Sequence, residues 1–229
     1  MAHEQLVEKA RRGGIDIYFE GDSITRRWGT SDGQYREFLE NWRGNFFGWN
    51  AANFGWGADT VQNILWRVSN GELDAVHPKV VVLLAGTNNI GNTPRQGVDR
   101  DVVEEVANGI AAVVDVIRAK APEATLVLTG ITPRRDRDGG TTLMPTIDAI
   151  NRRIVSLADG SRVRSININN RLARADGVLI DGMTVDGLHL SVAGYQVWAD
   201  ALKPIFRELL GPPAATDHAP PPTGDPAVR

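Results

Sequence analysis

The chain has 229 residues, 42% of them hydrophobic and 23% charged, with a formal net charge of −3. That length and apolar share suit one α/β domain with a sizeable core, and the near-balanced charge argues against a nucleic-acid partner. The absence of cysteine excludes disulfides, thiolate metal sites and a cysteine nucleophile, and no stretch approaches the ~20 apolar residues of a membrane span.

In chain order, residues 1–14 are charged and lack the apolar stretch of an export signal, so the chain reads as cytoplasmic. Residues 15–19, with Ile15, Ile17, Tyr18 and Phe19, predict a buried strand. Residues 46–54 are a less regular strand candidate. A helix carrying Val61, Leu65 and Val68 is expected next, capped by Asp59 or Thr60. Residues 80–85 and 125–129 are short, unbroken apolar runs of the kind found in parallel strands buried on both faces. Between them Val102, Val106, Ile110, Val113, Val114 and Ile117 repeat at helical spacing. Residues 134–140 read as a solvated loop. Ile147, Ile150, Ile154 and Leu157 mark another helix, and residues 163–168 a further strand. The last helix follows Ser191 as N-cap and carries Val192, Tyr195, Ala199 and Leu202; Pro204 is expected to kink or break it. Strands alternating with helices imply a parallel sheet covered on both faces. The domain is placed at residues 1–211, with a proline-rich, disordered tail over 212–229.

The chemistry concentrates in three phrases. Gly21-Asp22-Ser23-Ile24 sets a serine just past a strand end, where reactive groups of such sheets gather. Asp186-Gly187-Leu188-His189 supplies a carboxylate and an imidazole three residues apart, before a helix. Acyl transfer by serine needs a base that reaches the hydroxyl and an acceptor that holds the base's other N–H. Among the histidines, His3 and His218 lie near the termini, where fraying is expected, and His77 precedes Pro78; His189 combines a carboxylate three residues earlier with a helix that starts just after it. Asp181 is a more distant competitor of Asp186 for orienting it. Donors for a developing oxyanion could come from the Asn88 side chain in Gly86-Thr87-Asn88-Asn89 or from backbone N–H groups in residues 53–60. Gly55-x-Gly57 lacks the third glycine of a dinucleotide fingerprint, no P-loop occurs, and no histidine cluster suggests a metal.

In these blocks the chain resembles the SGNH (GDSL-type) hydrolase superfamily. Gly21-Asp22-Ser23-Ile24 matches its nucleophile block, Gly86-Thr87-Asn88-Asn89 its asparagine block, with Asn89 where many members carry Asp, and Asp186-Gly187-Leu188-His189 its Asp-x-x-His block. The glycine block, residues 53–60, aligns without a gap but places Ala58 where members carry the glycine that donates its backbone N–H; Gly57 could take the role by a one-residue shift. The resemblance implies a flavodoxin-like three-layer α/β/α fold with a five-stranded parallel sheet and a cofactor-free, metal-free serine esterase. Its implied triad is Ser23, Asp186 and His189, and its implied oxyanion hole the Ser23 and Ala58 N–H groups with the Asn88 side chain. Residues 53–67 and 80–92 are most similar to the branch of platelet-activating-factor acetylhydrolase catalytic subunits, which implies a short acyl group and a homodimer. Similar phrases occur in bacterial carbohydrate acetylesterases. The expected activity is hydrolysis of acetyl esters, of sugars first, then of phospholipids, with lysophospholipids or thioesters third. The other class of reading is a non-catalytic carbohydrate-binding module on the same fold, in which Trp28 and Trp56 would line a sugar pocket.

Overall fold

Both faces of the central strands are covered, which is why their sequences do not alternate. The computed structural model describes residues 1–227. Helix α1 (Ala2–Arg11) precedes β1 (Ile17–Gly21), α2 (Ser23–Gly29), α3 (Arg36–Phe46), β2 (Ala51–Asn53) and α4 (Val61–Arg67). There follow β3 (Val80–Leu84), α5 (Thr87–Ile90), α6 (Arg100–Lys120), β4 (Thr125–Thr129), α7 (Met144–Ile154), β5 (Val163–Ile166), α8 (Asn169–Leu172) and α9 (Val192–Leu210). The five strands pair in parallel in the order β2-β1-β3-β4-β5, a flavodoxin-like sheet.

Successive side chains of each strand enter opposite layers. Tyr18, Val81, Leu83, Leu126 and Leu128 pack with the apolar stripes of α4, α6 and α7. Phe19, Val80, Val82 and Val127 pack with α2, α3 and α9. The second layer is aromatic: Trp28 stacks on Trp198 at 5.1 Å between centroids, and Phe19 meets Trp42 edge-on at 4.6 Å. Gly21 of β1 lies opposite Leu84 of β3. The strand order reverses between these two strands, and crevices at such a switch point, beyond the carboxyl ends of the strands, are where open α/β sheets bind ligands.

Several elements differ from expectation. Only Ala51–Asn53 of residues 46–54 is strand, because Phe46 closes α3 and Gly48 turns the chain with φ +87°. Helix α9 runs through Pro204. The carbonyl that loses its partner there belongs to exposed Asp200, where water can satisfy it. Within the charged residues 1–14, for which the sequence predicts no element, residues 2–11 form a helix that buries Leu6, Lys9 and Ala10. The stretch 134–140 is not simply solvated: Arg134 and Asp136 are buried. The Asp136 carboxylate closes that loop, accepting from Gly140 N–H at 2.8 Å and the Thr142 hydroxyl at 2.6 Å.

The tail also departs from expectation. Its described part, residues 212–227, forms no helix or strand, but it runs along the body. Ala214 N–H donates to the Gly48 carbonyl, Asp217 accepts from Gly48 N–H at 2.7 Å, and Asp225 N–H donates to Asp32 at 2.7 Å. Pro220 is buried. Prolines that cannot build a core can still cover one, and backbone groups of the tail find fixed partners on the α3–β2 turn. No described helix is long and apolar enough to cross a membrane.

Candidate active site

Strand β1 delivers Ser23 through a single turn. Asp22 is extended and caps α2, its Oδ1 accepting from Ile24 N–H at 2.9 Å. Ser23 is therefore the first residue of α2, on the rim of the sheet. Asp22 is fully buried, and burial pushes its carboxyl up to about 7 although the Ile24 hydrogen bond opposes this.

The Asp-x-x-His turn closes on itself. Asp186 Oδ1 accepts from the backbone N–H groups of Leu188 (3.0 Å) and His189 (2.8 Å), while Oδ2 lies 2.7 Å from His189 Nδ1. With its proton on Nδ1, facing the carboxylate, His189 presents Nε2 as an acceptor, 2.9 Å from Ser23 Oγ. Burial disfavours the ionised Asp186, yet the hydrogen bonds from His189 and Leu188 outweigh it and hold its pKa below the ordinary value. His189 is also held below its ordinary value: burial is the main cause, the Asp186 hydrogen bond opposes it, and the positive charge of Arg27 adds to it. Asp181 is exposed and makes no hydrogen bond to the ring.

The loop between β2 and α4 is set by close approach. A Cβ on Gly55 would stand 2.7 Å from Arg26 N and 2.9 Å from the Asp22 carbonyl, so only glycine lets the loop lie against the first turn of α2. Trp56 N–H then donates to the Gly21 carbonyl at 2.9 Å. Ala58 is left-handed, with φ +63°, and Gly57 is not among the positive-φ residues. The left-handed position is thus the one where the ungapped alignment sets the family glycine. Thr60, not Asp59, caps α4 in a reciprocal capping box with Asn63. Asn88 donates from Nδ2 to the Asp59 carbonyl at 2.8 Å, leaving its second N–H free. Asn89 keeps the role an aspartate could have there, its Oδ1 accepting from Val61 N–H at 3.0 Å.

Ser23, His189, Ala58 and Asn88 line one open cavity of about 400 Å³. The remaining lining includes Arg26, Arg27, Tyr35 and Leu188. Arg26 lies over Trp56 at 4.3 Å and pairs with Asp32 at 2.8 Å. Arg27 lies over Tyr35 at 5.1 Å and 3.5 Å from Asp186. Sequence reasoning missed these arginines, although positions three and four after Ser23 share its face of a helix. Trp28, expected at the pocket, is instead fully buried. The 134–140 loop braces the site from both sides. Arg134 Nη1 donates to the Thr87 carbonyl at 3.0 Å, and Arg135 N–H to the Gly187 carbonyl at 2.8 Å.

Fold and site together define the GDSL class of ester hydrolases. Residues 19–197 match the GDSL-like lipase/acylhydrolase family, and the chain belongs to it; it is a carboxylic ester hydrolase. It is 32% identical over 209 residues to the platelet-activating factor acetylhydrolase IB subunit alpha2 of Rattus norvegicus, covering 91% of this chain and 83% of that protein. It is 31% identical over 229 residues to the alpha1 subunit of Bos taurus, covering 98% of this chain and 89% of that one. A GDSL-like lipase from Bacteroides thetaiotaomicron superposes with a TM-score of 0.68 at 19% identity, covering 91% of this chain and 98% of that one, a likeness of fold.

A left-handed alanine costs roughly 1 kcal/mol relative to glycine. Ala58→Gly is therefore expected to raise unfolding stability by about that amount, read as a higher urea midpoint with an unchanged slope. A lower midpoint would contradict it.

Proposed function

We propose that the chain hydrolyses short-chain esters, acetyl esters above all, through an acyl-enzyme on Ser23. The hydrogen-bonded series Ser23 Oγ, His189 Nε2, His189 Nδ1, Asp186 Oδ2, at 2.9 and 2.7 Å, carries this reading. Ser23 Oγ adds to the ester carbonyl carbon while His189 takes its proton, and Asp186 holds the resulting imidazolium. The carbonyl oxygen becomes an oxyanion, received by the N–H groups of Ser23 and Ala58 and the free N–H of Asn88. A single donor of this kind contributes about 100- to 1,000-fold in rate. Collapse breaks the bond to the leaving alkoxide, which His189 protonates. Water, deprotonated by the same His189, then releases the acid and frees Ser23.

The cavity supports a small acyl group and a polar leaving group. Its walls are mostly arginine, asparagine, histidine and tyrosine, with Leu188 the largest apolar side chain among them. Leu188, Ala58 and the stems of the arginines offer an acyl chain apolar surface enough for a short group, whereas a hydroxylated leaving group such as a sugar would meet donors. The names of the curated relatives favour a second reading, an acetylated phospholipid. A purely sugar-binding role draws little support from the tryptophans: Trp28, Trp42, Trp49 and Trp198 are buried, Trp56 lies under Arg26, and the exposed Trp66 lies against His3, away from the cavity lining.

Ser23→Ala and His189→Ala are each expected to lower p-nitrophenyl acetate turnover by several orders of magnitude with the fold intact; near-normal turnover in either purified variant sinks the triad. In a series of p-nitrophenyl esters, acetate should outpace octanoate, and acetylated sugars should outpace an acetylated phospholipid; the reverse order in either pair overturns that half of the assignment.

The pH profile follows from the base. His189 must be neutral to accept the Ser23 proton, so kcat/KM is full above its pKa and falls as pH drops through it. The acid limb is expected below pH 6.5, the ordinary histidine value. Arg27→Gln removes a positive charge that disfavours the imidazolium, and should move the limb upward. A limb that stays in place or moves down would refute that electrostatic role.

A further inference from the structure

Beneath the donor loop lies an ion cluster to which the reaction above assigns no role. Arg67, at the end of α4, is 5% exposed and uses all five of its N–H donors. Nε donates to Asp59 Oδ2 at 2.7 Å. Nη1 donates to Glu72 at 2.5 Å and to the Phe54 carbonyl at 3.0 Å. Nη2 donates to Glu20 at 2.5 Å and to the Gly21 carbonyl at 3.4 Å. Glu20 and Gly21 are the last residues of β1, immediately before Asp22 and Ser23. Phe54 and Asp59 bracket the loop that holds Ala58. One planar cation thus ties the strand that delivers the nucleophile to the loop that delivers the oxyanion donors.

Asp59 is the junction. Its carboxylate is held by Arg67, its carbonyl accepts from Asn88 Nδ2 at 2.8 Å, and it is bonded directly to Ala58, whose left-handed backbone an alanine resists. A buried ion cluster of this kind gains little stability over a well-packed apolar one, so its value lies in what it fixes. We propose that Asp59 and Arg67 are positioning residues of the oxyanion hole: they set the aim of the Ala58 N–H and of the Asn88 amide relative to Ser23. The inference rests on the Ser23 acyl-enzyme reading.

Asp59→Ala is the direct test, because it frees the loop while leaving Arg67 with Glu20 and Glu72. In the folded variant kcat on p-nitrophenyl acetate should fall by about 10- to 100-fold, with KM little changed. A second readout isolates the hole from general integrity. Ser23 Oγ adds to an alkyl trifluoromethyl ketone, His189 takes the proton, and the ketone oxygen becomes an oxyanion held by the same donors. Affinity for that inhibitor should fall by the same factor as kcat, and Asp59→Asn, which can still accept from Arg67, should restore both. If Asp59→Ala does not fold, Arg67→Lys replaces it: lysine keeps the charge but cannot span strand and loop together, so both readouts should again fall in parallel. A folded variant with lowered thermal stability but wild-type kcat and inhibitor affinity overturns the proposal. Loss of turnover in Ser23→Ala beside normal turnover in Asp59→Ala rejects this inference alone, whereas normal turnover in Ser23→Ala rejects the acyl-enzyme reading beneath it.

Discussion

Parallel pairing sets Gly21 of β1 opposite Leu84 of β3, so the two strands leave the core at one level. Their side chains are buried on both faces, and polar groups that must face substrate have to come from beyond the strand ends. Ser23 follows one strand and Asn88 the other, which is how a hydroxyl and an amide distant in sequence line one cavity. A slip of one residue in this pairing would turn every inward side chain outward and part the two groups. The His189 turn is fastened to the same rim from the β4 side, through Arg135 and Gly187.

The rim is an unfavourable place, energetically, and the layers beneath it compensate. Ala58 is left-handed, Asp22 is a buried carboxylate, and Glu20, Glu72 and Asp59 surround a single arginine. Burial raises the pKa values of Glu20 and Glu72 even beside Arg67. Against these costs stand two continuous apolar layers, one largely aliphatic and one built on Trp28, Trp198, Phe19 and Phe206. Strain and buried charge gather at the rim, and the packing that tolerates them lies in the sheet.

What could be read from the sequence was local. Ser23, Asp186 and His189 were legible because a strand end and a three-residue spacing each fix a geometry within a few bonds. The strands at 80–84 and 125–129 were legible because burial on both faces leaves an unbroken apolar run. Arg67 was not, since its five acceptors come from β1, the donor loop and the turn after α4, and no local pattern marks a residue whose partners are 5 to 47 positions away. The 134–140 loop looked solvated for the same reason: its charges are typical of surface, and only the fold shows that Arg134 reaches Thr87. Pro204 looked like a breaker until Asp200 proved to be on the wet face of α9.

The tail changes the character of one sheet border. Strand β2 is the outermost strand on its side, and an outermost strand offers unpaired backbone to any extended chain that drifts by. Ala51, Ala52 and Asn53 share the walls of a small cavity with Pro220, Pro221 and Pro222. Three consecutive residues without an N–H cannot extend the ladder themselves, and set along this flank they leave less room for another strand. The prolines act as a selvedge: they finish the woven edge of the sheet so that it neither frays nor takes up another thread.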